Sequence, residues 1–386
     1  MKYDVAIIGA GPAGAYCAKT LAEKGLKVLI LDKAKFPRNK ICGGLISSKT
    51  LKLIQDDCSN EYLTKLGPKP VYKIILTCGQ KEVALEKNEV LGIIVRRKQF
   101  DEAIANMAVD KGAHFVDNCE YRFHMDLKSS YEIYTTKGIF FSDYLIGADG
   151  VYSKVAKISK LRQRFSKWEM GLAVSCEIPR ELIIEKNGAE FVFLKILAGM
   201  GWCFSGKDFV NLGVGGYAPD SKKILQAAKK LVLNRLKNKN FPFKLRASFL
   251  PAGGRKRQIA NERIFLVGDA AGFVDAFSGE GIYYALNSGK IAAETIANNQ
   301  TGKMYEKKCY SIFLNEFRFS AIMSVVLGDR DKIYQKGVDR SFSEAFYNIL
   351  TTPPESGCYS SFIYSIIKHG ISPTFPYLWI QSLFFA

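Results

Sequence analysis

The sequence predicts an α/β fold: a parallel sheet interleaved with a mainly antiparallel second sheet, followed by a helical C-terminal region. Three observations predict it. The chain opens on a glycine-patterned strand–turn–helix–strand, "DVAIIGAGPAGAYCAKTLAEKGLKVLILDK". Two further short apolar strands, far along the chain, run into "GADG" and "GDAAG" turns and then into helices. Strand-like stretches lie between these units, at 71–95 and 165–218, and include "YKIILTCG", "MGLAVSCEIP" and "VNLGVGGY".

Taken in order, Val5 to Ile8 form an apolar run suited to a buried parallel strand. Gly9, Gly11 and Gly14 then spell GxGxxG. Gly9 allows the tight turn, Gly11 lets the backbone approach a pyrophosphate, and Gly14 lets helix and sheet pack closely. Pro12 and Ala13 open the helix, whose free N–H groups and positive dipole end face the anion. After Gly25 the next strand ends at Asp32 and Lys33. The Asp32 carboxylate is placed to accept hydrogen bonds from ribose hydroxyls and would repel a 2′-phosphate, which disfavours NADP here. This is a Rossmann-type dinucleotide site. The loop "NKICGGLIS" follows, with one cysteine and two adjacent glycines, Cys42, Gly43 and Gly44. Asp149 and Gly150 end another strand, with Ser153 starting a helix. A further strand ends in Gly268 and Asp269, and a glycine-bounded loop, Gly279 to Gly281, leads into a small-residue helix at Ile282.

The second sheet is expected from 71–95 and 165–249, and the nucleotide-binding domain from 1–70, 96–164 and 250–300. A C-terminal helical region is expected over 301–386, ending in the aromatic "SPTFPYLWIQSLFFA". Ser221 to Lys237 reads as an amphipathic helix. Its apolar face carries Ile224, Leu225, Ala228, Leu231, Val232 and Leu236, opposite Lys222, Lys223, Lys229 and Lys230.

Composition narrows the function. With 386 residues, 48% of them hydrophobic, the chain can bury more than one core. Nine scattered cysteines without a CxxC pair, three histidines and no HExxH argue against a disulfide framework and a metal site, and for a reducing compartment. No targeting signal and no run of 18 apolar residues stands out, so a cytoplasmic protein is expected, peripheral at most on a membrane. Of the net charge of +18, a surplus of 15 lies between Val151 and Ala260, and Ser221 to Ala260 contains no acid. That local field suits an anionic membrane surface or a phosphate-bearing substrate; no nucleic-acid module accompanies it.

The glycine turn, the "DYLIGADGVYSKVAK" strand and the "RIFLVGDAAGFVDAFSGEG" loop, in this order, resemble the signatures of the flavoprotein hydroxylase fold. The resemblance implies FAD bound across the domain. It implies that Asp269 holds the ribityl chain and that Gly279, Gly281 and Ile282 present a helix N-terminus to the flavin. It also implies that Arg97 opens a helix beside the cofactor. Within that fold the closer resemblance is to the geranylgeranyl reductase family. Lys40, Cys42, Gly43, Gly44 and Leu45 are similar to its cysteine–glycine loop. Asp275, Gly279, Glu280, Gly281, Tyr283, Ala285 and Gly289 are similar to its flavin-facing helix. Trp202, Phe204, Gly213 and Gly215 keep its groove pattern, with Met200 in place of an aromatic and Ser205 in place of a proline.

The resemblance implies an FAD-dependent reductase of isoprenoid C=C bonds, with Trp202 and Phe204 in the substrate groove. Cys42, Gly43 and Gly44 would lie beside the flavin ring, Cys42 as proton donor or substrate-positioning group, kept neutral by burial. NAD(P)H or a ferredoxin-like partner would supply electrons, since no second GxGxxG is present. A single-component monooxygenase or halogenase, and a flavin-binding membrane-associated protein without turnover, are the alternatives.

Overall fold

The computed structural model describes residues 2–57, 61–328, 340–357 and 359. The aromatic ending read from 372 onward lies outside them.

Strand Lys2–Ile8 is central, and its residues Val5 to Ile8 are buried in a core shared with helix Pro12–Glu23 and with Tyr121, Tyr131 and Ile133 of the antiparallel strands. Across the sheet the order is His114–Val116, Val28–Leu31, Lys2–Ile8, Gly138–Gly147, Tyr131–Thr135 and Tyr121–Asp126. Ile264–Leu266 adds in parallel to the end of Gly138–Gly147. The four strands that end in glycine or acid turns therefore lie side by side, with their C-terminal ends at one edge. Helix Pro12–Glu23 packs on helix Ile282–Ala297. Gly289 makes that contact close: a Cβ there would sit 2.4 Å from the Ala13 carbonyl oxygen.

The second sheet runs Arg246–Pro251, Met170–Pro179, Phe209–Tyr217, Met200–Ser205, Ala189–Phe193, Lys73–Cys78 and Lys81–Glu86. All its pairings are antiparallel except Ala189–Phe193 with Lys73–Cys78. Period-two alternation divides its residues. Met200, Trp202 and Phe204 point into an apolar cluster with Phe191, Phe193, Phe277 and Phe346. Cys203, Val210 and Leu212 point the other way, against helix Ser221–Arg235. Ile224, Ala228 and Val232 of that helix are fully buried, each contributing roughly 1–2 kcal/mol of apolar burial.

Four expectations are corrected. The helix stops at Arg235, two residues short of Lys237, and Leu225, expected on its buried face, is 50% exposed. The buried stripe follows i, i+4, i+8 from Ile224, and Leu225 lies one position, about 100°, off it. Gly92–Ile94, within the stretch read as second sheet, instead pairs with Leu45–Ser47 and Lys69–Val71 in a small sheet. Strand Arg246–Pro251 carries the second sheet past residue 249, because it is held along Met170–Ser175. Among the described residues no helix is long and apolar enough to cross a membrane.

Candidate active site

A cavity of about 900 Å³ opens along the C-terminal edge of the parallel sheet and runs under the second sheet. That is the upper end of the range for small-molecule sites. Its walls include Gly9, Gly11, Pro12 and Ala13, then Asp32 and Lys33, then Arg97, Asp149 and Gly150, and finally Asp269, Gly279, Gly281 and Ile282. Gly14 and Gly268 do not line it. Gly14 is behind the turn, where a Cβ would meet the Gly9 carbonyl oxygen at 2.0 Å, and the Gly268 N–H donates to Ser288 Oγ at 2.9 Å. Both glycines shape the turns rather than face the cavity.

The cradle is built for an anion at one end and a polar chain along its length. Gly11 caps helix Pro12–Glu23 with no side-chain acceptor and no acid in the first turn, so the helix N–H groups stay available. Asp32 is held rigid, accepting from Ala10 N at 2.8 Å and Ala34 N at 2.9 Å. Arg38 stands over the glycine turn: its Nη2 is 3.5 Å from where a Gly11 Cβ would be, and its Nη1 pairs with Asp101 at 2.9 Å. Asp149 accepts from Lys154 N and Val155 N through Oδ2, while its buried Oδ1 has no protein partner, and burial raises its pKa. Helix Ile282–Ala297 likewise begins at Gly281 without a side-chain cap or a first-turn acid. The Glu280 carboxylate beside it is neutralised by Lys49 at 2.7 Å and accepts from Ser47 Oγ at 2.5 Å. Lys49 is 2% exposed and also donates to the Ile349 carbonyl, so the C-terminal helix Arg340–Thr351 helps fix this charge pair.

At the junction of cradle and second sheet lies the cysteine–glycine loop. A Cβ on Gly43 would sit 2.9 Å from the Phe204 ring and 3.2 Å from Trp202 Nε1, so the loop backbone rests directly on both aromatics. Gly44 has φ +81°, and a Cβ there would meet the Val95 carbonyl oxygen at 2.4 Å. Cys42 is half-buried, whereas the other cysteines described are buried. Its thiol receives the Gly44 N–H at 3.4 Å and lies within hydrogen-bonding reach of Arg97. Burial pushes the Arg97 pKa down, but Asp101 (Nε–Oδ1 2.8 Å) and then Cys42 raise it further, so the guanidinium stays charged. Cys42, expected to be buried, is thus only half-buried, and a fixed cation, Arg97, is among the neighbours of its thiol. Beyond the loop, Phe191, Met200, Trp202, Phe204 and Phe277 give the cavity an apolar end. Ser205, expected in the groove, points away from it, because it alternates with Phe204 along the strand.

Residues 2–176 match the family model for the FAD binding domain. The chloroplastic geranylgeranyl diphosphate reductase of Arabidopsis thaliana is 30% identical over 340 residues, covering 78% of this chain and 67% of that protein. The chain belongs to the geranylgeranyl reductase family. The digeranylgeranylglycerophospholipid reductase of Methanococcus vannielii is 25% identical, over 83% of this chain and 87% of that protein. A solved geranylgeranyl bacteriochlorophyll reductase-like structure from Thermoplasma acidophilum superposes with a TM-score of 0.80 at 20% identity, over 95% of this chain and 98% of that one. The protein is thus an FAD-dependent oxidoreductase of the geranylgeranyl reductase family. Its residues fit the cofactor. Uncapped N–H groups suit the pyrophosphate, and Asp32 and Asp149 Oδ1 offer acceptors to hydroxyls.

Four site features were not anticipated. Arg38 lies in "FPRNK", a loop whose path is set by tertiary structure. Asp101 was legible as the i+4 partner of Arg97. The burial of Lys49 had no signal in the sequence. Asn211, a lone amide in the apolar run "FVNLGVGG", did have one.

Proposed function

We propose that the protein reduces C=C bonds of an isoprenoid lipid or related hydrophobic alkene. One observation carries this reading: the polar dinucleotide cradle continues without a break into an aromatic chamber, and the Cys42–Gly43–Gly44 backbone forms the seam. When bound and reduced, FAD supplies a hydride. The chain's own residues do the rest. Phe191, Trp202, Phe204 and Phe277 hold an apolar chain and exclude water, which an alkene needs and a charged substrate would not tolerate. Gly43 and Gly44 let the backbone come close to the reacting centre. Cys42 provides the proton or fixes the alkene, with its sulfur held by Gly44 N–H and Arg97. Arg38, Asp32 and the Pro12–Glu23 helix N-terminus hold the nucleotide end. Named relatives act on geranylgeranyl diphosphate and on digeranylgeranylglycerophospholipid, which supports a long polyprenyl substrate. Electrons would come from NAD(P)H or a ferredoxin-like partner.

The basic face supports a position at an anionic membrane surface, from which such a substrate would be drawn. Lys222, Lys223, Lys229 and Lys230 are all exposed, and so is Leu225 between them.

Anaerobic single-turnover kinetics test the reading. Reduced wild-type protein should be reoxidised by a polyprenyl alkene. Cys42→Ser should keep FAD and its reduction by dithionite but slow that reoxidation about 10²-fold, the scale of a lost general acid. An unchanged rate in the variant would reduce Cys42 to packing.

A further inference from the structure

We propose that Asn211 is the positioning residue of the thiol loop, indexing Cys42 to the substrate groove. The inference rests on the reading of Cys42 above. Asn211 is 3% exposed and sits between Val210 and Leu212, on the strand face that carries Gly213 and Gly215. A buried amide in such a place is costly unless both its ends are bonded. Both are. Asn211 Oδ1 accepts from Trp202 Nε1 at 2.7 Å, and Nδ2 donates to the Cys42 carbonyl oxygen at 2.9 Å. The orientation of the amide follows, because the indole can only donate and the carbonyl can only accept.

The two partners belong to different parts of the molecule. Trp202 is in the neighbouring strand of the second sheet and forms the wall of the aromatic chamber. Cys42 is in the loop that leaves the nucleotide-binding sheet and has no regular structure of its own. Asn211 therefore ties the backbone that bears the thiol to the indole that bounds the groove. Gly43 allows the tie, since any side chain there would strike Phe204 and Trp202. Room for the indole comes from Gly213, where a Cβ would lie 2.3 Å from Trp202 Cζ2. A thiol placed by its own sheet alone would follow motions of that sheet. Through Asn211 it follows the groove.

The isosteric Asn211→Asp tests this. Ionised, the new carboxylate still accepts from Trp202 but repels the Cys42 carbonyl. Protonated, its hydroxyl donates to that carbonyl and restores the native pattern; burial favours the protonated form. Holoenzyme is treated with iodoacetamide over pH 5 to 8, and labelling of the Cys42 peptide is followed by mass spectrometry, with buried Cys203 in the adjoining strand as control. At pH 8 Cys42 of the variant should label about tenfold faster than in the wild type, the scale of one lost buried hydrogen bond. The ratio should fall toward one at pH 5. In Asn211→Leu the faster rate should persist at every pH. A ratio of one throughout, a pH-independent ratio in Asn211→Asp, or equal acceleration at Cys203 would overturn the assignment. Labelling needs no substrate. A pH-dependent ratio in a protein that fails to reduce alkenes would refute the reductase reading and keep the role of Asn211.

Discussion

Gly11 and Gly14 stand three residues apart in one turn, yet a side chain added at each meets different surroundings. At Gly11 the nearest protein atom to a new Cβ is Arg38 Nη2 at 3.5 Å, an ordinary contact with the end of a flexible side chain. At Gly14 the same atom would lie 2.0 Å from the Gly9 carbonyl oxygen and 2.9 Å from Ala148 Cβ, both fixed in the core. Gly11→Val should therefore fold, with a melting temperature within a few degrees of wild-type apoprotein, and purify colourless because the branch occupies the pyrophosphate position. Gly14→Val should lose stability by several kcal/mol, the scale of overpacking against backbone. Thermal melts and flavin absorbance separate the two, and a yellow Gly11→Val protein would remove the assignment of the turn. At this scale the residues legible in the sequence were those whose chemistry depends on local geometry, the glycines and the strand-end acids, while Arg97 came only from the family resemblance. Asn211 and Lys49 depend on partners 169 and 231 positions away, Cys42 and Glu280, and no local pattern could point to those contacts.

Among the elements, the turn Lys167–Glu169 shows how the basic stretch is tied to the second sheet. Glu169 accepts from Ser166 N at 2.9 Å, completing a capping box, and pairs with Arg257 and, at 3.3 Å, with Arg255. Its own carbonyl receives Ala252 N at 2.7 Å, just where strands Met170–Pro179 and Arg246–Pro251 begin to pair. Burial pushes its pKa up, but the Ser166 N–H and Arg257 outweigh this and hold it down at about 2. A carboxyl lowered in the folded state stabilises above its unfolded value of about 4.5, and that contribution is lost as pH falls toward 2. Glu169→Gln should thus cost about 1–2 kcal/mol at pH 7, after allowing for partial exposure, and progressively less below pH 4. Urea titrations at several pH values check it; a cost that does not shrink in acid would mean the ion pair is not its source. The strands and helices themselves were largely legible, because period-two and period-3.6 patterns report burial directly. Which sheet Gly92–Ile94 joins was not, since pairing partners leave no trace in a three-residue run.

For the whole molecule, charge and cavity act together. The acid-free stretch Ser221–Ala260 supplies both the lysine-rich helix and the Arg246–Pro251 edge strand, and Ala247 to Pro251 of that strand line the cavity. Binding to anionic liposomes should be strong at low salt and fall at least tenfold by 0.5 M, as expected of exposed charges within a short Debye length. Co-sedimentation measures this, and equal binding to neutral vesicles at every salt concentration would refute the electrostatic contribution. The division into a cofactor sheet and a covering sheet could be read from the order of the motifs. The seam between them, where Cys42, Gly43, Trp202 and Asn211 meet, could not, because it exists only once both sheets are folded.

The central claim is that an apolar alkene, not oxygen, takes the two electrons of the reduced cofactor, as a hydride accompanied by a proton. Anaerobic incubation of the reduced holoenzyme with a polyprenyl lipid, followed by mass spectrometry of the product, tests it most directly. The account predicts a gain of two hydrogens for each double bond reduced, with oxygen rigorously excluded. No product without oxygen, and a gain of one oxygen atom in its presence, would contradict it.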